Sequence, residues 1–194
     1  MLQLRRASKN DLEFLIKLDL GEEGYTPSVD DTPVDVEEHC ARISGYVHDA
    51  DKAARVFGDT EDHEQVGGIL CRFRNLKTEP ESANNWTFFE SIRQFLPDSG
   101  RFCEVFNLWV APDFRRQGLA ARLKRQLEIE SHRRDIEMIY THTERTNPHV
   151  IELNLKLGYR EIRRGPIWDA IERVSLTKDF IYTASPIHLP PSGT

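Results

Sequence analysis

Val110-Ala111-Pro112-Asp113-Phe114-Arg115-Arg116-Gln117-Gly118-Leu119-Ala120 is the stretch that decides the fold. It joins a strand-like run, residues 102–110, to a helix-like run, residues 119–132. A strand that turns through a basic, glycine-containing loop into a helix builds an anion site from the backbone. The first N–H groups of a helix lack intrahelical partners, and the macrodipole adds positive potential there. Gly118 permits close approach of the chain to a ligand, and small Ala120 leaves room in the first turn. With one glycine and no Gly-Lys-Ser/Thr, the loop is neither a dinucleotide fingerprint nor a Walker loop.

Working outward, strand and helix alternate. Residues 2–6 read as a strand. Ser8 with Asp11 then opens an amphipathic helix through Leu20, and residues 21–31 are polar loop. Thr32 caps a second helix that starts on Pro33, is boxed by Asp35 and runs to about His48. Residues 53–58 and 66–73 read as a hairpin. Residues 75–100 break the rhythm as an insert. Within it, residues 86–96 place Phe88, Phe89, Ile92 and Phe95 at helical spacing, which suits either a helix packed on the domain or a lid over a cleft. After the third helix, residues 138–143 form a strand. Asn147 as cap, Pro148 at the first position and Gly158 at the exit bound a helix over 148–157. Residues 159–163 and 173–178 finish as strands. The expectation is one domain over residues 1–180, followed by a proline-containing tail over 181–194.

The chain has 194 residues, enough to bury a core, with 39% hydrophobic and 30% charged residues. No apolar run approaches the ~18 residues of a membrane span, and residues 1–6 lack a signal-peptide core. Cys40, Cys71 and Cys103 are scattered and odd in number, as in a reduced cytoplasmic protein. A net charge of −6 argues against nucleic acid. Local charge is more telling. Arg115, Arg116, Arg122, Lys124 and Arg125 gather at the helix start and read as anion-binding. Glu22, Glu23, Asp30, Asp31, Asp35, Glu37 and Glu38 form either a solvated face or a wall attracting a cationic substrate. The seven histidines show no metal spacing, and no Gly-x-Ser-x-Gly elbow occurs, so neither a metal nor a serine hydrolase is expected.

Arg-x-x-Gly-x-Ala after a Val-x-Pro strand end resembles the pyrophosphate loop of the GNAT superfamily of N-acetyltransferases. Residues 147–159, Asn-Pro-His-Val-Ile-Glu-Leu-Asn-Leu-Lys-Leu-Gly-Tyr, are similar to the family's second signature. The resemblance implies an α/β (α+β) fold: a mixed, mostly antiparallel sheet of six or seven strands, flanked by helices and splayed at its centre to admit acetyl-CoA. It implies that backbone groups of Leu108, Trp109 and Val110 meet the pantetheine, with the Trp109 ring as core or cleft wall. Arg115, Arg116, Gln117, Gly118, Leu119 and Ala120 would cradle the phosphates, with Asn147, Asn154 and Lys156 completing the cofactor site.

Residues 102–110 resemble the histone-modifying branch, in which a glutamate at the position of Glu104 acts as base. A carboxylate in an otherwise apolar strand is costly to bury without a task or a partner. Asn107, Tyr140 and Glu144 on neighbouring strand ends are the alternatives for orienting substrate or a water. Asn154 stands where the family has the tyrosine that protonates the leaving sulfur. An amide can hydrogen-bond a thiolate or the CoA chain, or serve only in packing, but it cannot donate that proton. The function implied is N-acetyl transfer to a primary amine of a small molecule or a peptide, the amine cationic, through a ternary complex. A non-catalytic acyl-CoA sensor or structural module is the other reading. The tail or the aromatic insert would offer a surface for a homodimer.

Overall fold

The computed structural model describes residues 1–22, 33–59, 64–80 and 86–180. Strand β1 (Leu2–Arg6) leads through a 3-10 turn at Lys9–Asp11 into helix α1 (Leu12–Glu22). The Ser8–Asp11 box forms, but it closes a 3-10 turn rather than the α-helix itself. The reason is that the Asp11 carboxylate gathers donors from the Ser8 N–H and hydroxyl, Arg5 and Gln65. Helix α2 (Pro33–His48) begins on its proline, and its expected cap Thr32 lies outside the described residues. Strands β2 (Lys52–Asp59) and β3 (Gln65–Asn75) pair as the expected hairpin, with Ala53 opposite Cys71. Then come α3 (Trp86–Ser91), β4 (Arg101–Val110), α4 (Leu119–Arg133), β5 (Met138–Glu144), α5 (Pro148–Lys156), β6 (Arg160–Gly165) and β7 (Arg173–Asp179). The 181–194 tail lies outside the described residues.

The strands form one seven-stranded sheet in the order β1-β2-β3-β4-β5-β7-β6. Every neighbouring pair is antiparallel except β4–β5, which is parallel. Helices cover both faces. On one, Leu119, Leu123 and Leu127 of α4 join Ile69, Ile139 and Val174 in the main core, with α5 packing alongside through Ile151. On the other, Leu15 and Leu18 of α1 and Ile43 and Tyr46 of α2 meet Val56 and Leu70.

The 75–100 insert completes this second face. Phe88, Phe89 and Ile92 are buried against Phe102, Met138 and Tyr140. Each such side chain contributes about 1.5–3 kcal/mol of burial, so the insert is a wall of the core. Its helix is shorter than the 86–96 expected. It ends at Ser91 and passes into a 3-10 turn at Arg93–Phe95, which leaves Phe95 only partly buried.

Candidate active site

Strands β4 and β5 pair over two positions only, Cys103 opposite Ile139 and Glu104 opposite Tyr140. Beyond them the strands part, and a cleft of about 920 Å³ runs through the sheet. From the α1/α2 face it is lined by Tyr46, Glu104 and Phe106, and from the α4/α5 face by Leu108, Lys124 and Val150.

At the end of β4, the chain leaves the sheet with the Ala111 N–H bonded to the Val66 carbonyl. It then makes a 3-10 turn at Pro112–Phe114. Arg115 Nε donates back to the Val110 carbonyl at 2.9 Å. Two left-handed residues, Arg116 (φ 62°) and Gly118 (φ 80°), swing the backbone into α4. A Cβ on Gly118 would meet nothing within 4 Å, so its backbone conformation, not crowding, calls for glycine, and the loop's outer surface is open. The first α4 hydrogen bond runs from the Arg122 N–H to the Gly118 carbonyl, so the N–H groups of Leu119, Ala120 and Ala121 have no intrahelical acceptor. Leu119 anchors the turn in the core while Arg115, Arg116 and Gln117 stay exposed. This open surface, its free amides and its two arginines fit a pyrophosphate.

The basic run expected to act as one anion patch is divided. Arg122 lies 4.8 Å over the Phe57 ring, and Lys124 turns inward. Lys124 is 1% exposed, its Nζ lies 4.5 Å from the Tyr159 ring centroid, and it has no hydrogen-bond partner among the described residues.

At the α1/α2 mouth, Glu104 is buried and accepts a hydrogen bond from Arg74 Nη1 at 3.1 Å, with Arg72 opposite it in the ladder. Arg74 is clamped in turn by Glu79 and covered by the Phe89 ring at 4.5 Å. Burial pushes the Glu104 carboxyl up, while the Arg74 and Arg72 guanidiniums pull it down. A bulge shapes the wall beside it. Leu70 pairs with Asn107 and Cys71 with Val105, which leaves Phe106 as an extra residue. Consecutive Phe106 and Asn107 therefore both serve the α1/α2 side, Phe106 stacking on Tyr46 at 5.4 Å. Asn107 is buried in the cleft wall, and its Oδ1 lacks a partner among the described residues.

Across the fork, the His142 ring stands edge-on to Trp168 at 5.0 Å. Burial, reinforced by Arg173 and Lys124, holds the His142 imidazole down at about 4, so it is neutral at physiological pH. Trp168 is itself fixed by Arg173, 4.4 Å over its ring, and Arg173 is paired with Asp169.

The sequence matches the profile described as Acetyltransferase (GNAT) family over residues 18–159. The chain belongs to the GNAT acetyltransferase family. Solved structures of similar fold include Arabidopsis thaliana NAA60 in complex with a bisubstrate analogue, with a TM-score of 0.68 and 15% identity over 92% of this chain and 98% of that one. The ribosomal-protein-S18-alanine N-acetyltransferase from Escherichia coli aligns with a TM-score of 0.63 and 12% identity, over 97% and 100% of the two chains. A chimera of the spermidine N-acetyltransferase SpeG from Vibrio cholerae and hSSAT gives 0.60 and 16%, over 92% and 95%. No curated protein matches the sequence.

Within this GNAT fold, Glu104, Leu108 and Asn147 come together on the cleft, whereas Trp109, Val110, residues 115–120 and Asn154 are not among the residues that line it. Asn147 occupies the cap position of α5, yet its side chain makes no capping bond and lines the cleft instead. Val110 supports the loop through its carbonyl, and Trp109 packs edge-on to Phe14 at 5.9 Å as a wall of the α1 side. Asn154 is fully buried. Its amide donates to the Val150 carbonyl at 2.9 Å, and its Oδ1 lacks a partner among the described residues.

Lys156 is not brought to the cleft; it is exposed and paired with Glu152 at 2.7 Å. Tyr140 also departs from expectation, since it is sealed in the α3 aromatic cluster with its hydroxyl bonded to Ser175 at 3.1 Å. Glu144 does line the cleft. Of the acidic run, Glu23, Asp30 and Asp31 lie outside the described residues, and Glu37 is exposed. Sequence reasoning missed Lys124, Arg72 and His142 as cleft residues and Arg74 as the partner of Glu104. For Lys124 a signal existed: it falls on the stripe of Ala120, Leu127 and Ser131, spaced by four and three residues, where a lysine breaks the apolar face.

Proposed function

We propose that the chain transfers an acetyl group from acetyl-CoA to a primary amine, donor and acceptor being held together across the fork. The observation that carries this reading is the cleft itself, which is lined from both faces of the sheet where β4 and β5 part and holds a buried carboxylate, Glu104, in its wall. The backbone of residues 115–121 would hold the pyrophosphate, with Leu108 and Asn147 along the path inward. When bound, the thioester supplies an activated acetyl group.

The remaining chemistry falls to side chains. A lysine-like ammonium, with a free pKa of ~10.4, must lose a proton before it attacks. Glu104 takes that proton, directly or through a water, and a carboxyl raised by burial is a better base than an exposed one. Asn107 presents an amide oxygen to orient the amine. The acceptor is a cationic primary amine of a small molecule or of a peptide, drawn by Glu104 and Glu144, while neutral His142 adds no repulsion. Residues 1–180 act as one catalytic domain. Structures of similar fold include an acetyl-CoA complex and enzymes described as acting on spermidine and on a protein alanine, which supports an amine acceptor of either class.

The test is a pair of assays. Acetyl-CoA at ~100 times its Kd should stabilise the native chain by about 2.7 kcal/mol, read as a rise in Tm. Thiol release should then appear with at least one of a polyamine, a lysine peptide and a peptide with a free α-amine. No thermal shift and no thiol release would overturn the assignment.

A further inference from the structure

We propose that Lys124 is the proton donor to the departing CoA sulfur, acting from the α4/α5 side of the fork while Glu104 takes the amine proton from the other side. The inference rests on the acetyltransferase reading above.

Three observations lead to it. First, Lys124 lines the cleft yet is buried to 1% exposure, and its Nζ has no hydrogen-bond partner among the described residues. A buried amine whose hydrogen-bonding capacity is left unused is costly and open to a ligand in the cleft. Secondly, the nearby carboxylate, Glu128, gives one oxygen to Lys178 at 2.8 Å and its Oε1 makes no hydrogen bond among the described residues, so it is not bonded to Lys124. What Lys124 does have is the Tyr159 ring, a contact that stabilises its charge without consuming its protons. Thirdly, Lys124 lies on the helix whose first turn follows the phosphate loop, whereas Asn154, at the position of the family's tyrosine, has no proton to give.

In the balanced step, the acceptor N–C bond forms and the acetyl C–S bond breaks. The proton lost by the amine goes to Glu104, and an ammonium proton of Lys124 passes to the sulfur, which leaves as the free thiol. Glu104 has already passed the ammonium's first proton to solvent before attack and passes this second one on as well, while Lys124 regains one, so the ammonium loses two protons, of which the thiol gains one and solvent the other.

The surroundings suit this role. Cys103 of β4, Glu128 of α4, Lys178 of β7, His142 of β5 and Tyr159 after α5 are the titratable groups that face Lys124. Burial, aided by Lys178 and opposed by Cys103 and Glu128, brings the Lys124 ammonium down to about 7. That lies below the ~8.5 of a thiol, so the transfer to sulfur runs downhill.

The experiment compares the wild-type chain with Lys124→Met and Lys124→Arg, alongside nitrogen-15 NMR of lysine Nζ in the ligand-free protein. Lys124 should titrate near 7, and kcat should fall as pH rises through that value. Lys124→Met should keep the acetyl-CoA thermal shift, lose roughly 10²-fold in kcat, and lose the alkaline limb. Lys124→Arg retains the charge but holds its proton too tightly, so it should fail to restore kcat. A Lys124 that titrates near ~10.4, or variants with wild-type kcat and an unchanged limb, would overturn the proposal. Because the NMR titration needs neither ligand nor turnover, a Lys124 that does not titrate near 7 overturns the proposal even if a variant does not fold. Absence of turnover by the wild-type chain with every amine would instead defeat the transferase reading itself.

Discussion

The two mouths of the cleft are built by different means. On the α4/α5 side, in the loop proposed to hold the pyrophosphate, the groups on offer are backbone amides, aimed by two left-handed residues and a helix start, and the side chains around them are exposed. At the α1/α2 mouth the working groups are side chains, buried and held by one another: Glu104 by Arg74, Arg74 by Glu79 and Phe89. A site made of backbone depends on φ and ψ at a few positions and is indifferent to most substitutions. A site made of buried charge depends on every member of its network. Donor binding and acceptor chemistry should therefore fail separately when mutated.

The strongest challenge to that separation is Glu104→Gln, which should lower kcat by about 10²–10⁴-fold while the acetyl-CoA thermal shift persists. An equal loss of donor binding would show that the mouths are one unit. Phe89→Ala removes the ring beneath Arg74 and should cost about 3–5 kcal/mol, read as a lower urea midpoint. A change under ~1 kcal/mol would mean that the insert is not a wall of the core.

Lys124 gives a pH test of the floor between the mouths. Its folded pKa of about 7 lies below an unfolded value of ~10.4, so the unfolded chain binds more protons between those limits and stability rises with pH across them. Lys124→Met should flatten that rise, and a slope unchanged by the substitution would contradict a depressed amine. Gly118→Ala places a Cβ in open space but forces a left-handed alanine, about 1–2 kcal/mol, and should weaken acetyl-CoA binding roughly tenfold with the acceptor KM unmoved. At the small end, Lys156→Ala removes an exposed pair and should change stability and donor affinity by less than ~0.5 kcal/mol. A larger loss of affinity would return Lys156 to the cofactor site.

The contrast between the mouths also explains what could be read from the chain. The turn between β4 and α4, the Asn147–Gly158 helix and the seven strands are local events, marked by glycine, proline, caps and alternation, and each was found where it was expected. Glu104 stood out because it interrupts an apolar strand. Its partner Arg74 did not, since nothing in sequence spacing announces a pairing thirty residues away. The bulge at Phe106 was equally hidden, because it is defined by the register of β3 against β4. Tyr140 misled for the same reason: strand alternation places it on the face of Glu104, and only the insert's Phe88 and Phe89 close it off from the cleft.

The two-position junction of β4 and β5 also bears on how the chain folds as it is made. Strands β1 to β4 pair only with their sequence neighbours, so one half of the sheet can assemble by the time residue 110 is synthesised. The remaining three strands form their own antiparallel group and join the first half at Cys103–Ile139 and Glu104–Tyr140. Local pairing of this kind is fast, whereas closing a distant contact carries the entropy of the intervening loop. The joining of the two halves is what creates the cleft. Until the two halves meet, Glu104 has no Tyr140 beside it and the cleft has only one of its walls.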